Sequence, residues 1–282
     1  MYAILRSDGR PVTVPAQLPA VSGKLFQLAS SGKTFLIAWE EDGRIRAAVL
    51  ALDGTMLNEP LTLSAPIASD EVSLTSVLWH AGRYLIAAGG QLYRVSAAGE
   101  IAPGEEAPVR VAWSSERIYL AHDGERLLAW VARVEGPICN CLPQIDLTLH
   151  ELDGRTLEER WTMSETHTGA LLWGPVFAAG GGHRLLLWAD YVANNSAGDD
   201  GTVRSVVPDP QSGGFFSAAW TPDRFLVTSG KRMLVYDLNG AYREAVALPA
   251  RTVQSTISAN GAMLLMTRLL PDGAQVVVSA RP

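Results

Sequence analysis

An apolar strand that returns six times along the chain, a glycine-bearing turn that usually closes it, and the lack of any well-capped window of helical periodicity together predict an all-β fold. The specific expectation is a six-bladed β-propeller of four-stranded antiparallel blades, because one such unit cannot bury both of its faces until neighbours pack against it. The clearest copy is Phe35-Leu-Ile-Ala-Trp39, the acidic turn Glu40 to Gly43, a second run from Arg44 to Leu52, Asp53-Gly54, and a last strand reaching Ser64.

The copies follow in order. Leu25 to Leu28 precedes Phe35 to Trp39, and Ser76 to Trp79 precedes Tyr84 to Ala87. Arg110 to Trp113 stands before Ile118-Tyr-Leu120 and Leu127 to Trp130, and Leu171-Leu-Trp173 stands before Leu185 to Trp188. Ser217 to Trp220 precedes Phe225 to Thr228, and Ser255 to Ser258 precedes Met263 to Met266. The expected blades span about 22–66, 67–109, 110–163, 164–212, 213–250 and 251–282 within one domain of 282 residues. Asp53-Gly54, Asp153-Gly154 and Asn239-Gly240 read as two-residue type I′ turns between third and fourth strands, because both pairs supply positive φ. The last copy stops after its Gln275 to Ser279 strand while residues 1–20 hold surplus strand material, so the N-terminal segment is expected to close the last blade and hide its edge. Tyr2 to Arg6 also reads as a third strand; either the sixth blade has an extra strand or the chain is a piece of something longer.

Composition narrows the functions. Nearly half the residues, 48%, are hydrophobic and 18% are charged, enough for a core without staples. The balance of 23 basic against 29 acidic residues gives a net charge of −6, which repels phosphate backbones and argues against nucleic acid as a partner. No run approaches the roughly 20 apolar residues of a membrane span. The first residues lack the apolar core and cleavage site of a signal peptide, so the compartment stays open between cytoplasmic and a mature or excised exported domain. Cys139 and Cys141 are too few for a disulfide framework and lack the partners of a metal site, and read as two thiols in an inserted loop.

The repeat over Phe35 to Ser64 resembles the degenerate β-propeller repeats of bacterial secreted and surface proteins, most closely over residues 23–64 and recognisably over 113–163. The resemblance implies a bacterial, exported binding module and assigns no active site. The Gly-His and Trp-Asp pairs of WD40 repeats and the Asp boxes of sialidases are absent.

Two copies are lengthened, by Glu135 to Gln144 with both cysteines and by Tyr191 to Thr202. Both insertions fall between second and third strands, hence on one face of adjacent blades, where a rigid scaffold carries recognition loops. Tyr191 and Asn194 in the second insertion are therefore candidate contacts. Trp79, Trp113, Trp173 and Trp220 recur near the ends of inner strands, and Trp39, Trp130 and Trp188 at the ends of second strands. Recurrence in register favours blade packing; the sharper reading is an aromatic ring on which a carbohydrate or protein ligand stacks.

Catalysis has one weak candidate, Asp190, which as acid or base needs a second carboxylate about 5–10 Å away. Asp70, Glu71, Glu116, Glu165 and Asp223 could supply it, and spacing selects none of them; a turn or strand-end carboxylate is the plainer reading of each. His80, His122, His150, His167 and His183 show no close ligand spacing, Asn194 to Gly201 does not fit a calcium loop, and Gly180-Gly181-Gly182 precedes a strand rather than a helix. No metal or cofactor is expected. The reading is a non-catalytic binding or scaffold module with its ligand or protein partner at the face of the blade three and four insertions. The alternatives are a propeller glycoside hydrolase or related hydrolase with paired carboxylates, and a structural domain of a larger surface protein.

Overall fold

The computed structural model describes residues 2–5, 26–51, 54–68, 74–113, 115–123, 126–135, 144–168, 176–181, 183–187, 196–197, 202–205, 215–229, 232–247, 254–257, 263–270 and 273–280. Every regular element among them is a strand. Strand β1 is Tyr2–Leu5; sheet one holds β2 (Phe26–Ser30), β3 (Thr34–Glu41), β4 (Arg44–Ala51) and β5 (Leu61–Thr62). Sheet two holds β6 (Leu74–His80), β7 (Arg83–Ala88), β8 (Gln91–Ser96) and β9 (Val109–Arg110). Sheet three holds β10 (Arg117–Asp123), β11 (Arg126–Glu135), β12 (Gln144–Leu152) and β13 (Glu159–Thr168). Sheet four holds β14 (Val176–Gly180), β15 (His183–Leu187), β16 (Ser196–Ala197) and β17 (Thr202–Ser205), in the order β14-β15-β17-β16. Sheet five holds β18 (Phe215–Thr221), β19 (Arg224–Ser229), β20 (Arg232–Tyr236) and β21 (Tyr242–Ala247). In sheet six β22 (Gln254–Ile257), β23 (Met263–Leu270) and β24 (Gly273–Ala280) are joined at the edge by β1. Pairing among the described strands is antiparallel except for β1 with β24 and β15 with β17, where the expected antiparallel pattern gives way to parallel pairing.

The chain forms two compact units, residues 1–115 with 252–282, and residues 116–251. In the first, β2 packs beside both β6 and β22; in the second, β14 packs beside both β10 and β18. The first strands of three successive sheets therefore stand side by side in each unit. The second strands behind them are covered on both faces. Phe35 to Trp39, Tyr84 to Ala88 and Leu127 to Ala132 are buried without a break, which explains why these runs are continuously apolar rather than alternating.

Small residues on the first strands let the sheets approach. On β14, Ala179 enters the core shared with Leu128, Trp130 and Leu149 of sheet three, while Ala178 enters the core of Phe225, Val227 and Tyr236 of sheet five. Adjacent residues of one strand thus serve two interfaces, as a period of two requires. Beside Ala178, the Trp220 indole lies so close to Gly180 that a Cβ there would overlap its ring carbons. In the first unit, Tyr84 spans from sheet two to sheet one. Its hydroxyl donates to the Thr34 carbonyl at 2.7 Å and contacts Thr34 Oγ1 at 2.8 Å, and its ring meets Trp79 edge-on at 4.7 Å.

The rim turns differ from expectation in type. The residues Ala51, Ser96 and Asp237 each donate their N–H to the carbonyl four residues on and accept from the glycine three residues on. Gly54, Gly99 and Gly240 have φ of 87°, 81° and 75°, and Asn239 is not in the left-handed region. This is a three-residue connection with a glycine bulge, one residue longer than type I′. The Asp153 turn is longer again, and its left-handed residue is Leu157 at φ 64° rather than Gly154. Type I′ geometry appears elsewhere, at Asp42-Gly43, Ala81-Gly82 and Gly89-Gly90, where both residues have positive φ.

Two tests follow from this packing. Gly180→Ala should lower stability by about 1–3 kcal/mol, and most of that cost should vanish in a Trp220→Ala background; equal costs in both backgrounds, measured by denaturant unfolding, would contradict the contact. Tyr84→Phe should cost about 1 kcal/mol near neutral pH through the lost hydrogen bond. Burial holds the Tyr84 phenol above its ordinary value of 10.0, so its neutral form stabilises the fold fully below that pH, and the benefit is lost as pH rises towards the folded value. Unfolding curves above pH ~10 should therefore fall less steeply for the phenylalanine variant.

Candidate functional site

The second-to-third-strand ends of sheets one and two carry a repeated latch. A type I′ turn leaves the carbonyl of its second residue pointing out of the ladder, and the chain leaving the fourth strand crosses over it. In sheet one Ile67 donates its N–H to Gly43 O at 2.6 Å; in sheet two Val111 and Ala112 both donate to Gly90 O at 3.1 Å. Gly90 has φ 73°, and a Cβ there would lie 2.5 Å from Ala112 O and 2.6 Å from Trp113 O. The backbone next to Trp113 is thus fixed, while its side chain is 68% exposed.

This placement differs from the expected one. Val109–Arg110 pairs with Gln91 and Leu92 as the last strand of sheet two, and Arg117–Asp123 is the first strand of sheet three. The segment Arg110 to Trp113 is therefore not an inner strand, and Trp113 is out of register with Trp79 and Trp220. Those two are equivalent, one residue before the first hairpin's closing pair, opposite Tyr84 and Phe225 respectively. Both are half-buried and packed, Trp79 on Tyr84 and Trp220 on Gly180 and Gly181. The second tryptophan set also splits: counted from the hairpin, Trp39 matches Val131, so Trp130 points to the opposite face of its sheet. Trp173, Trp188, Asp190, Tyr191, Asn194, Cys139 and Cys141 lie outside the described residues, as do Asp70 and Glu71.

The remaining carboxylates are placed as follows. Glu116 is buried, and Glu165 sits on β13 opposite Leu147. Asp223 accepts from Arg224 Nε at 2.8 Å and from Thr221 Oγ1 at 2.9 Å, and Arg224 above all, then Thr221, holds it below its ordinary value. His150 Nδ1 meets Glu159 Oε2 at 2.6 Å across a bulge in β12 and β13. Among the described residues no three His, Cys, Asp or Glu side chains converge to hold a metal ion, and no helix is long and apolar enough to cross a membrane.

The insertion ends are better defined. The β11, β12 and β13 ladder continues to the row Glu135, Gln144 and Thr168. Its second strand has ten residues, against eight in β3 and β23 and six in β7 and β19. Residues 136–143 are thus borne on a paired stem taller than its counterparts. At the other end of that sheet Asp153 accepts from the N–H groups of Thr156 and Arg155, each at 2.8 Å, and pairs with Arg160.

No protein-family model and no curated protein matches the chain. Among solved structures the chain is similar to the Dos1 propeller, with 12% identity over 95% of this chain and 70% of that one and a TM-score of 0.44. It is similar to the gluconolactonase XC5397 of Xanthomonas campestris, with 15% identity over 86% and 82% of the two chains and a TM-score of 0.49. It is also similar to the Cps50 (Swd1) β-propeller domain of Myceliophteria thermophila, with 15% identity over 87% and 81% and a TM-score of 0.46.

The Asp153 turn gives a pH test. The Thr156 and Arg155 amides, and Arg160 after them, hold its carboxyl well below the ordinary 3.8. Its contribution is complete above that ordinary value and is lost as pH falls towards the folded value. Asp153→Asn should therefore flatten the loss of stability below pH ~4; an unchanged acid limb below that pH in thermal melts would contradict it.

Proposed function

We propose that the chain is a six-bladed β-propeller, with β1 beside β24 completing the sixth blade, that acts as a non-catalytic binding module. The ligand or protein partner docks on the face that carries the blade three insertion and the part of the blade four insertion before Ser196–Ala197, which itself forms the edge strand β16. The observation that carries this reading is the long β11–β12–β13 ladder at the base of the blade three insertion, whose second strand has ten residues against eight in β3 and six in β7. A packing element gains nothing from that extension; a recognition loop gains a rigid base. The propeller geometry is supported by the first strands standing side by side in each unit.

Trp113 is a separate candidate contact within its own unit, at the second-to-third-strand end of sheet two. An exposed indole on a latched backbone offers a large apolar face at little entropic cost on binding. Its ligand classes are a sugar ring stacked on the indole or an apolar side chain of a protein partner.

The test compares wild type with two variants, one with residues 136–143 replaced by Gly-Gly and one carrying Trp113→Ala, on a glycan array and in pull-downs with defined recovered partners. Binding that falls about tenfold in either variant with unchanged melting supports the reading. Turnover of nitrophenyl glycosides by wild type, abolished by Asp190→Asn, would overturn it in favour of the hydrolase.

A further inference from the structure

The outer strands are unequal. β5, β9 and β16 are two residues long and β21 is six, but β13 runs ten residues along the edge of its sheet. A long edge presents a row of backbone N–H and C=O groups that another strand can pair, and proteins blunt such edges with charges, prolines, bulges or a cover. Here most of those devices sit at one end, and Glu165 is the one carboxylate beyond it. The bulge falls between Glu151 and Leu152, Glu159 is bound to His150, and Arg160 is bound to Asp153. From Trp161 to Thr168 there is no proline, glycine or lysine, and no further strand pairs with it among the described residues. Trp161, Thr162 and Ser164 are exposed.

We propose that β13 is a self-association edge, along which a second copy of this chain pairs antiparallel with Ser164 on the two-fold axis, joining two sheets into one. Symmetry and charge select both the occupant and the register. A two-fold axis normal to a sheet keeps its faces, so a residue must meet a partner residue of its own face, an even number of positions away in the same strand. Centring on Thr162 sets Glu159 against Glu165, and centring on Glu165 sets that carboxylate against its own copy. Centring on Met163 sets the exposed Trp161 against Glu165, whereas centring on Ser164 sets Met163 there and leaves Trp161 opposite His167. Centring on Ser164 overlaps Arg160 to Thr168 fully and brings no like charges together. It pairs Thr162 with Thr166, Ser164 with Ser164, and Trp161 with His167, and cross-strand hydroxyl and aromatic pairs of this kind are favourable. The segment is thus most complementary to itself with Ser164 on the axis.

The test is position-specific. In a chain carrying Cys139→Ser and Cys141→Ser, Ser164→Cys should give a disulfide-linked dimer on mild oxidation, because residues opposite on an antiparallel pair lie within reach of a disulfide. Thr162→Cys alone should not cross-link, whereas Thr162→Cys with Thr166→Cys should. In sedimentation of the otherwise native chain, Ser164→Glu should weaken dimerisation about tenfold by setting two carboxylates together on the axis, and because Ser164 is exposed and its 3.0 Å contact with Thr148 Oγ1 is exposed too, the monomer's melting temperature should change little. A wild-type chain that stays monomeric at high concentration, or a Thr162→Cys variant that cross-links as readily as Ser164→Cys, would overturn the proposal.

Discussion

Everything in this fold depends on the close approach of neighbouring sheets across their first strands. The constraint is steric. β14 can sit between two cores because Ala178 and Ala179 project to opposite faces and neither holds the sheets apart, and because Gly180 leaves room for the Trp220 indole. That approach covers both faces of the second strands. Fully burying a leucine, phenylalanine or isoleucine contributes about 1.5–3 kcal/mol, as at Leu127 and Leu128 in a run that is buried at every position to Ala132. The outer strands, reached last, carry the polar and exposed residues.

Where a core stops, hydrogen bonds take over, and side chains often replace backbone partners. β5 pairs with β4 through only Arg46 with Thr62 and Ala47 with Leu61. Beyond that, Ser64 Oγ accepts from Ile45 N at 2.9 Å and Asn58 Oδ1 accepts from Val49 N at 2.8 Å. The edge of β4 is thereby satisfied without a regular strand. The same economy recurs at the rims, where Asp153 and Asp237 each accept two backbone N–H groups and each hold an arginine. Irregular segments are tied at both ends of the sheets, which is what allows a residue such as Trp113 to be exposed yet fixed in place.

Second strands were legible in the sequence because burial on both faces writes an unbroken apolar run, as in Phe35 to Trp39. Fourth strands were not. A two-residue ladder such as Val109–Arg110 leaves no periodicity, so Arg110 to Trp113 read as the start of the next repeat although three apolar runs in that copy hinted at a surplus. Turn type also escaped, because Asp-Gly suits type I′ and bulged turns alike and only the partner strand's register decides between them. The parallel pairing of β17 with β15 and of β1 with β24 has no local signature. Of the site, the stem beneath residues 136–143 follows from the length of the paired runs, whereas Trp113 could be found only by placing β9 correctly.

The most direct measurement is amide hydrogen exchange resolved along the chain. Sheets that depend on mutual coverage should protect β3, β7, β11 and β19 most strongly, with opening free energies near that of global unfolding, while β5, β9 and β21 exchange through local opening. Protection that is uniform from first strand to fourth, or weakest in the second strands, would contradict an architecture held together by sheet-to-sheet burial.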